Sequence, residues 1–467
     1  MTLALDPAAR GVHRDAPSAP PTTRRWIAPE VDTCEAVNRI VAAPLLERHP
    51  GRGWWISMAT AAACALLFVV GIGISLVRGT GVWGNNSTIV WGFPIASYVW
   101  WIGIGNAGTL ISAMLLLTRQ PWRASINRFA EAMTLFSVSI AGIYPIIHLG
   151  RPMFFIWLAP YPNPMTLWPQ WRSALVWDFW AIISYLLFSV VFWYLGILPD
   201  LATLRDRARL PLTRKLYGAF CLGWRNSTRH WDIHQTLYRT MAGLAVPLVC
   251  SVHSIVGLDF AASLEPGWQE SIFPPYFVVG AMYSGFAMVV LLAIGIRSGL
   301  KMKSLVTAHH FDAIAKVMLA GALVMTLSYV TEWYMAWYGA ERADRSFLAN
   351  EYVGHYAYLY WAMIFCNCVF PQVMWWKRAR ASLSVLVAVS IGVLIGMALE
   401  RILIIWETLG HDYLPSLWRI FFATGIDWMI LFGSLGFFAA MFLVFVRVAP
   451  VISMYEVREL ALEEAHK

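Results

Sequence analysis

Charge is scarce in this sequence: Asp, Glu, Lys and Arg make up 13% of its 467 residues, against 59% hydrophobic residues. A soluble domain carries about one charged residue in four, so a water-facing globular surface is excluded. Cysteine gives no framework. Of the six, Cys64, Cys250, Cys366 and Cys368 fall in apolar stretches, and Cys34 and Cys221 in polar connections. Disulfides are not expected from that distribution. Cys366 and Cys368, two apart on a helix, point to different faces. With no CxxC pair, no iron–sulfur or zinc site is read from this chain. The first fifty residues contain prolines, arginines and alanines but no apolar core segment. No cleavable signal peptide is therefore expected, and Arg24-Arg25 does not make a twin-arginine signal. The first apolar helix must direct insertion.

What the chain has instead is hydrophobic length, with a mean hydropathy of +0.58. Ten apolar runs are each about long enough to cross a bilayer: 54–77, 94–117, 129–148, 175–195, 237–258, 276–296, 314–338, 356–376, 383–406 and 427–447. Backbone groups in lipid must pair within the segment, so the expected fold is an all-α integral membrane protein. The net charge of +8 follows topology rather than nucleic-acid binding. Twenty-five Lys/Arg fall on the side of the termini, and only Arg78, Arg151, Arg172, Arg342, Arg345 and Arg419 on the other. That bias places both termini in the cytoplasm of a bacterial inner membrane.

Along the chain, 1–53 reads as a cytoplasmic tail, disordered to about residue 25, and 54–93 as the first helix with its outer loop. A faint internal repeat divides the rest. Pro94 and Pro275 open helices 2 and 6, Gly105 and Gly285 follow at similar depth, and Phe129-Ala-Glu131 resembles Phe311-Asp312-Ala313. This predicts a first four-helix bundle over 94–258 and a second over 259–406, flanked by helices 1 and 10, with 407–467 holding the last helix and a cytoplasmic tail. The basic loop 196–236 is read as lying on anionic headgroups or against another subunit.

The alternation of helix direction decides which polar residues can meet. His148 and Arg151 close helix 3 at the outer surface, Asp178 opens helix 4, and His253 and Asp259 end helix 5 at the same level. Five ionisable residues from three neighbouring helices converge there. Oxidising a quinol requires removal of two phenolic protons as well as two electrons, and a His with a carboxylate near the ring oxygens suits that task. Each has a bland alternative: an interfacial histidine, a first-turn aspartate at the helix dipole, a loop residue, a satisfied core histidine. A b-type haem needs facing histidines at depth, and only His148 and His253 qualify, so at most one would fit. Elsewhere, Glu332, Glu400, Arg401, Asp427, Asp312, Lys316 and Glu131 are read as lining a proton route, with structural pairing the competing reading. Trp177, with Trp157, Trp168, Trp171 and Trp180, sits around the outer site as an interfacial belt, a docking surface or a quinone entrance.

The ten helices, the two four-helix units, the His148-Leu-Gly-Arg-Pro152 string and Asp178 opening the next helix resemble the NrfD/PsrC family of membrane subunits. The resemblance covers roughly 50–450, and the helix number with the polar N-terminal tail is most similar to the ActC-type subunit of bacterial alternative complex III. It implies a quinol-binding subunit, for menaquinol or ubiquinol, with no haem or iron–sulfur cluster of its own. His148, Asp178 and Asp259 match the quinol pocket, with Arg151, His253 and Trp177 beside it. The implied partners are an iron–sulfur subunit on the outer face, c-type cytochrome subunits, a second NrfD-like membrane subunit, a terminal oxidase and lipid. The alternatives kept beside this are an ActF-like proton-conducting or structural anchor and a secondary transporter.

Overall fold

The computed structural model describes residues 25–158, 171–339 and 341–465. The reading of the first 25 residues as disordered, like Trp168, lies outside or at the edge of that range. Among the described residues there is no strand, and ten helices are long and apolar enough to cross a membrane. The chain is a multi-pass integral membrane protein. A short helix α1 (Cys34–Leu46) precedes the first crossing, α2 (Arg52–Arg78). Then come α3 (Phe93–Leu117), α4 (Asn127–His148), α5 (Ala174–Arg207), the short α6 (Pro211–Phe220) and α7 (Thr228–Ala261). The second half holds α8 (Phe273–Gly299), α9 (Ala308–Tyr338), the non-spanning α10 (Arg342–Val353) and α11 (Ala357–Ile364). It closes with α12 (Lys377–Ala381), α13 (Leu383–Gly410), α14 (Gly425–Val448) and α15 (Met454–Ala465).

Helices α3, α4, α5 and α7 pack as one closed ring, and α8, α9, α11 with its continuation, and α13 as another. The rings join where α3 meets α8 and α13 and where α7 meets α8; α2 and α14 pair with each other against α4. Small residues allow the close crossings. A Cβ on Gly285 would lie 1.8 Å from Ala107 Cβ, and one on Gly108 would lie 2.0 Å from Ala130 O. Neither seam tolerates a side chain, which is how helices approach where lipid supplies no hydrophobic drive between them.

Helices α5 and α7 each run 34 residues, about 51 Å at the α-helical rise, well beyond a hydrocarbon core of about 30 Å. Their polar extensions lie beyond the apolar runs read from sequence. The eighth crossing also departs from a plain helix. After α11 it passes through a π turn (Phe365–Val369) and a 3₁₀ turn (Phe370–Trp375). Pro371 has no N–H for Asn367 O; Tyr283 Oη donates to that carbonyl instead, at 3.1 Å. Pro199 inside α5 is treated alike, since His234 Nε2 takes the freed Leu195 O at 2.9 Å.

Both described ends lie on one face. Trp26 N donates to Glu464 Oε1 at 2.7 Å, and Thr307 Oγ1 donates to Trp26 O at 2.9 Å, so the N-terminal segment crosses the second ring to reach α15. A buried ion network holds α15 on the first ring. Arg123 forks onto Glu456 at 2.7 and 2.9 Å, while Arg128 reaches Glu131 at 3.3 Å and Asp200 at 3.4 Å. This is the terminal face; the opposite one is the far face.

Candidate functional site

At the far-face end of the first ring, α4 stops one turn before the HLGRP string finishes. It ends at His148, and Gly150 adopts φ +70° before Pro152 starts a 3₁₀ turn. The left-handed glycine, rather than the proline, terminates the helix. His148 is half-buried and stacks on Trp83, with ring centroids 6.1 Å apart. Its Nδ1 is buried without a partner. Arg151, beyond the turn, is exposed. Trp177 donates from Nε1 to Trp171 O at 2.6 Å on the rim.

Asp178, in the second turn of α5, and Asp259, in the last turn of α7, are 7% and 8% exposed and face one another, with Tyr98 of α3 beside both. Asp259 belongs to the helix, not to a loop. Although the groups adjoin, neither Asp178 Oδ1, Asp259 Oδ1 nor Tyr98 Oη has a well-formed hydrogen bond. Deeper in the ring, Asn106 Nδ2 donates to His253 Nδ1 at 2.6 Å, which assigns the ring proton to Nε2. That Nε2 and Asn106 Oδ1 are again buried and unpaired. Buried polar atoms are normally hydrogen-bonded, so six orphans at one helix-bundle end describe a site built for something polar.

An apolar groove of ≈ 320 Å³ leads to it between α4 and α5. Gly142, Ile146, Leu149, Phe155, Ile182 and Ile183 are among its walls, and Asp178 is its sole ionisable lining residue. Ser139 and Ile183 are exposed along it, so the groove opens on the membrane-facing side of the helix pair.

The remaining sequence candidates separate. In the second ring, Glu332 and Glu400 share a ≈ 30 Å³ cavity with Glu351, Tyr276 and Tyr329. Tyr329 Oη donates to Glu400, and Arg401 pairs with Glu400 at 2.8 Å while stacking over Phe277 at 3.8 Å. Glu351 comes from the non-spanning α10, where burial and then the charges of Glu332 and Glu407 hold its carboxyl well above the ordinary carboxylate range. Asp427 caps α14 with Thr424 and accepts from Gly84 N at 2.9 Å. Asp312 pairs with Arg380 and Lys316 at 2.8 Å on the terminal face, and Glu131 belongs to the α15 network of the first ring. These last four do not join the cavity.

Tyr98, Asn106 and Glu351 are the functional-site residues that the sequence reading misses. Asn106 is the sole amide in α3, a signal that hydropathy alone passes over. Among the described residues no group of three or more His, Cys, Asp or Glu is placed to hold a metal ion.

A family model described as polysulphide reductase, NrfD, matches residues 81–410. The chain belongs to the NrfD family. The match takes in both rings and every residue of the far-face cluster, and leaves α2 and α14 outside it. Among individual NrfD relatives, a putative dimethyl sulfoxide reductase membrane subunit of Halobacterium salinarum is 26% identical over 250 residues, covering 52% of this chain and 51% of its own. A selenate reductase subunit of Mesobacillus selenatarsenatis is 25% identical over 236 residues, or 49% and 53%. The chain thus spans about half the length of these relatives.

Proposed function

We propose that this chain is the membrane subunit of a quinol-oxidising respiratory complex, and that quinol reacts at the far-face end of the first ring. The observation that carries this reading is the pairing of unsatisfied buried polar atoms with an apolar slot that ends on Asp178. A quinol has the same division, a polar ring and an isoprenoid tail. The slot suits the tail, and the cluster offers acceptors for both ring hydroxyls: Asp178 and Asp259 on one side, His148 on the other. Oxidation to quinone releases two protons and two electrons. The carboxylates and histidine take the protons, and the electrons leave to an iron–sulfur subunit docked on that face. With the termini in the cytoplasm, as the charge bias supports, the protons emerge outside.

Within the family, the ten crossings and the N-terminal segment favour the alternative complex III type, the ActC-like subunit. Its electrons pass to c-type haems in partner subunits and on to a carrier or terminal oxidase, and the membrane part holds a second NrfD-like protein. The test is quinol turnover by the assembled complex with Asp178→Asn and His148→Ala, with iron–sulfur and haem content measured on the same sample. Turnover falling by about 10²–10⁴, the usual worth of a positioned proton acceptor, with cofactors intact supports the reading; unchanged turnover refutes it and leaves an anchor subunit.

A second activity has its own support. The cavity between Glu332, Glu351 and Glu400 has room for about two waters by volume, which suits proton exchange in the second ring. Glu332→Gln should leave quinol turnover in place and lower the protons released per electron. A secondary transporter is disfavoured by α3 and α8, which run unbroken through their crossings.

A further inference from the structure

Helix α6 leaves the end of α5 and folds back against it. Its depth is set by two hydrogen bonds. Tyr194 Oη of α5 donates to Phe220 O, and Tyr217 Oη donates to Val448 O, at the last residue of α14, at 3.0 Å. The helix therefore lies where the crossing α14 ends, at the boundary between hydrocarbon and headgroups on the terminal face.

At about 100° per residue, Leu212, Leu216 and Phe220 occupy one face of α6, and they are 70%, 52% and 58% exposed. Leu210 and Leu222 extend the apolar strip past both ends. The half-buried Thr213 and Tyr217 turn the other way, onto the protein. Arg214 and Lys215 are exposed, and among the described residues neither makes an ion pair. Their neighbours Arg205 and Arg207 do, with Asp206 at 2.8 Å and Glu35 at 2.6 Å. An apolar strip with unpaired cations beside it, held at that depth, has the character of a helix lying in the membrane interface.

Beside it, an apolar groove of ≈ 450 Å³ runs between α4, α5 and α14 and ends at Val448 and Ala449, next to the Tyr217 contact. One polar atom among its lining residues stands out: Trp193 Nε1 is buried and has no partner. A chain-shaped apolar slot with one unmet donor, capped by free cations, fits one ligand class.

We propose that α6 and this groove form a binding site for an anionic glycerophospholipid. An acyl chain fills the groove, an ester carbonyl accepts from Trp193 Nε1, and the phosphate lies at the level of Arg214 and Lys215. The strip of Leu212, Leu216 and Phe220 sinks into the surrounding leaflet.

The test uses the full chain in nanodiscs of phosphatidylcholine, with or without phosphatidylglycerol. Hydroxyl-radical oxidation of Leu212, Leu216 and Phe220 should fall several-fold when phosphatidylglycerol is present. The Arg214→Gln/Lys215→Gln variant should lose that difference while keeping its helical content. Native mass spectrometry should find a retained phosphatidylglycerol on the wild type that this variant and Trp193→Phe hold less well. Equal oxidation in both discs, or equal retention of phosphatidylcholine, overturns the proposal. So does protection that appears only with the partner subunits present, which would make α6 a protein contact.

Discussion

Replacing Tyr98 by phenylalanine should move stability and function in opposite directions. The Tyr98 hydroxyl is buried, faces Asp178 and Asp259, and has no well-formed hydrogen bond. A buried hydroxyl without a partner costs free energy to hold. Deleting it while keeping the ring should leave folding unchanged or raise it by up to about 1 kcal/mol. If quinol satisfies that hydroxyl, the same change removes one ligand hydrogen bond, about 1–3 kcal/mol in a buried site beside charged groups. At about 1.4 kcal/mol per tenfold, KM for quinol rises by roughly five- to a hundredfold. The assay pairs steady-state quinol oxidation by the assembled complex with thermal unfolding of the same preparation. A variant that is less stable and less active in parallel would make Tyr98 structural. One with unaltered KM would remove it from the ligand site.

Two further outcomes follow from the same physical reasoning. Glu456→Gln leaves the buried Arg123 guanidinium without its anion; breaking such a pair costs about 3–5 kcal/mol, so α15 should lose hydrogen-exchange protection ahead of the two rings. Burial, then the charge of Asp344, pushes Glu270 in the α7–α8 loop up to about 7. Its unfolded carboxyl titrates near about 4.3. Between those values the folded chain binds more protons, so stability falls as pH rises through that window and levels off above it. Glu270→Gln should flatten the decline, read as unfolding temperature against pH.

Much of this architecture is legible in the residues because lipid imposes a severe rule: a crossing needs about twenty apolar residues in a row, and the chain supplies ten such runs. Alternating direction then puts His148, Asp178 and Asp259 at one level without any knowledge of packing. What that argument lacks is rotation about each helix axis. Helix α3 is buried on nearly every side, so its apolar pattern gives no sign that Tyr98 turns to the aspartates or Asn106 to His253. Hydropathy is equally blind to helix that continues into water, as at Pro199–Arg207 of α5, and to α10, whose Glu351 folds back onto the second ring from a polar connection. The charged residues Asp427, Asp312 and Glu131 look alike in sequence as buried acids. Only their partners, a helix cap, a surface pair and an arginine network, separate them from Glu332 and Glu400.

The most direct measurement is photolabelling of the native complex with an azido-quinone, followed by peptide mapping. The account predicts label on the walls of the α4–α5 groove, within 138–149 and 178–186, displaced by excess quinol and lost in Asp178→Asn. Label confined to another subunit, or to the second ring of this chain, would contradict it.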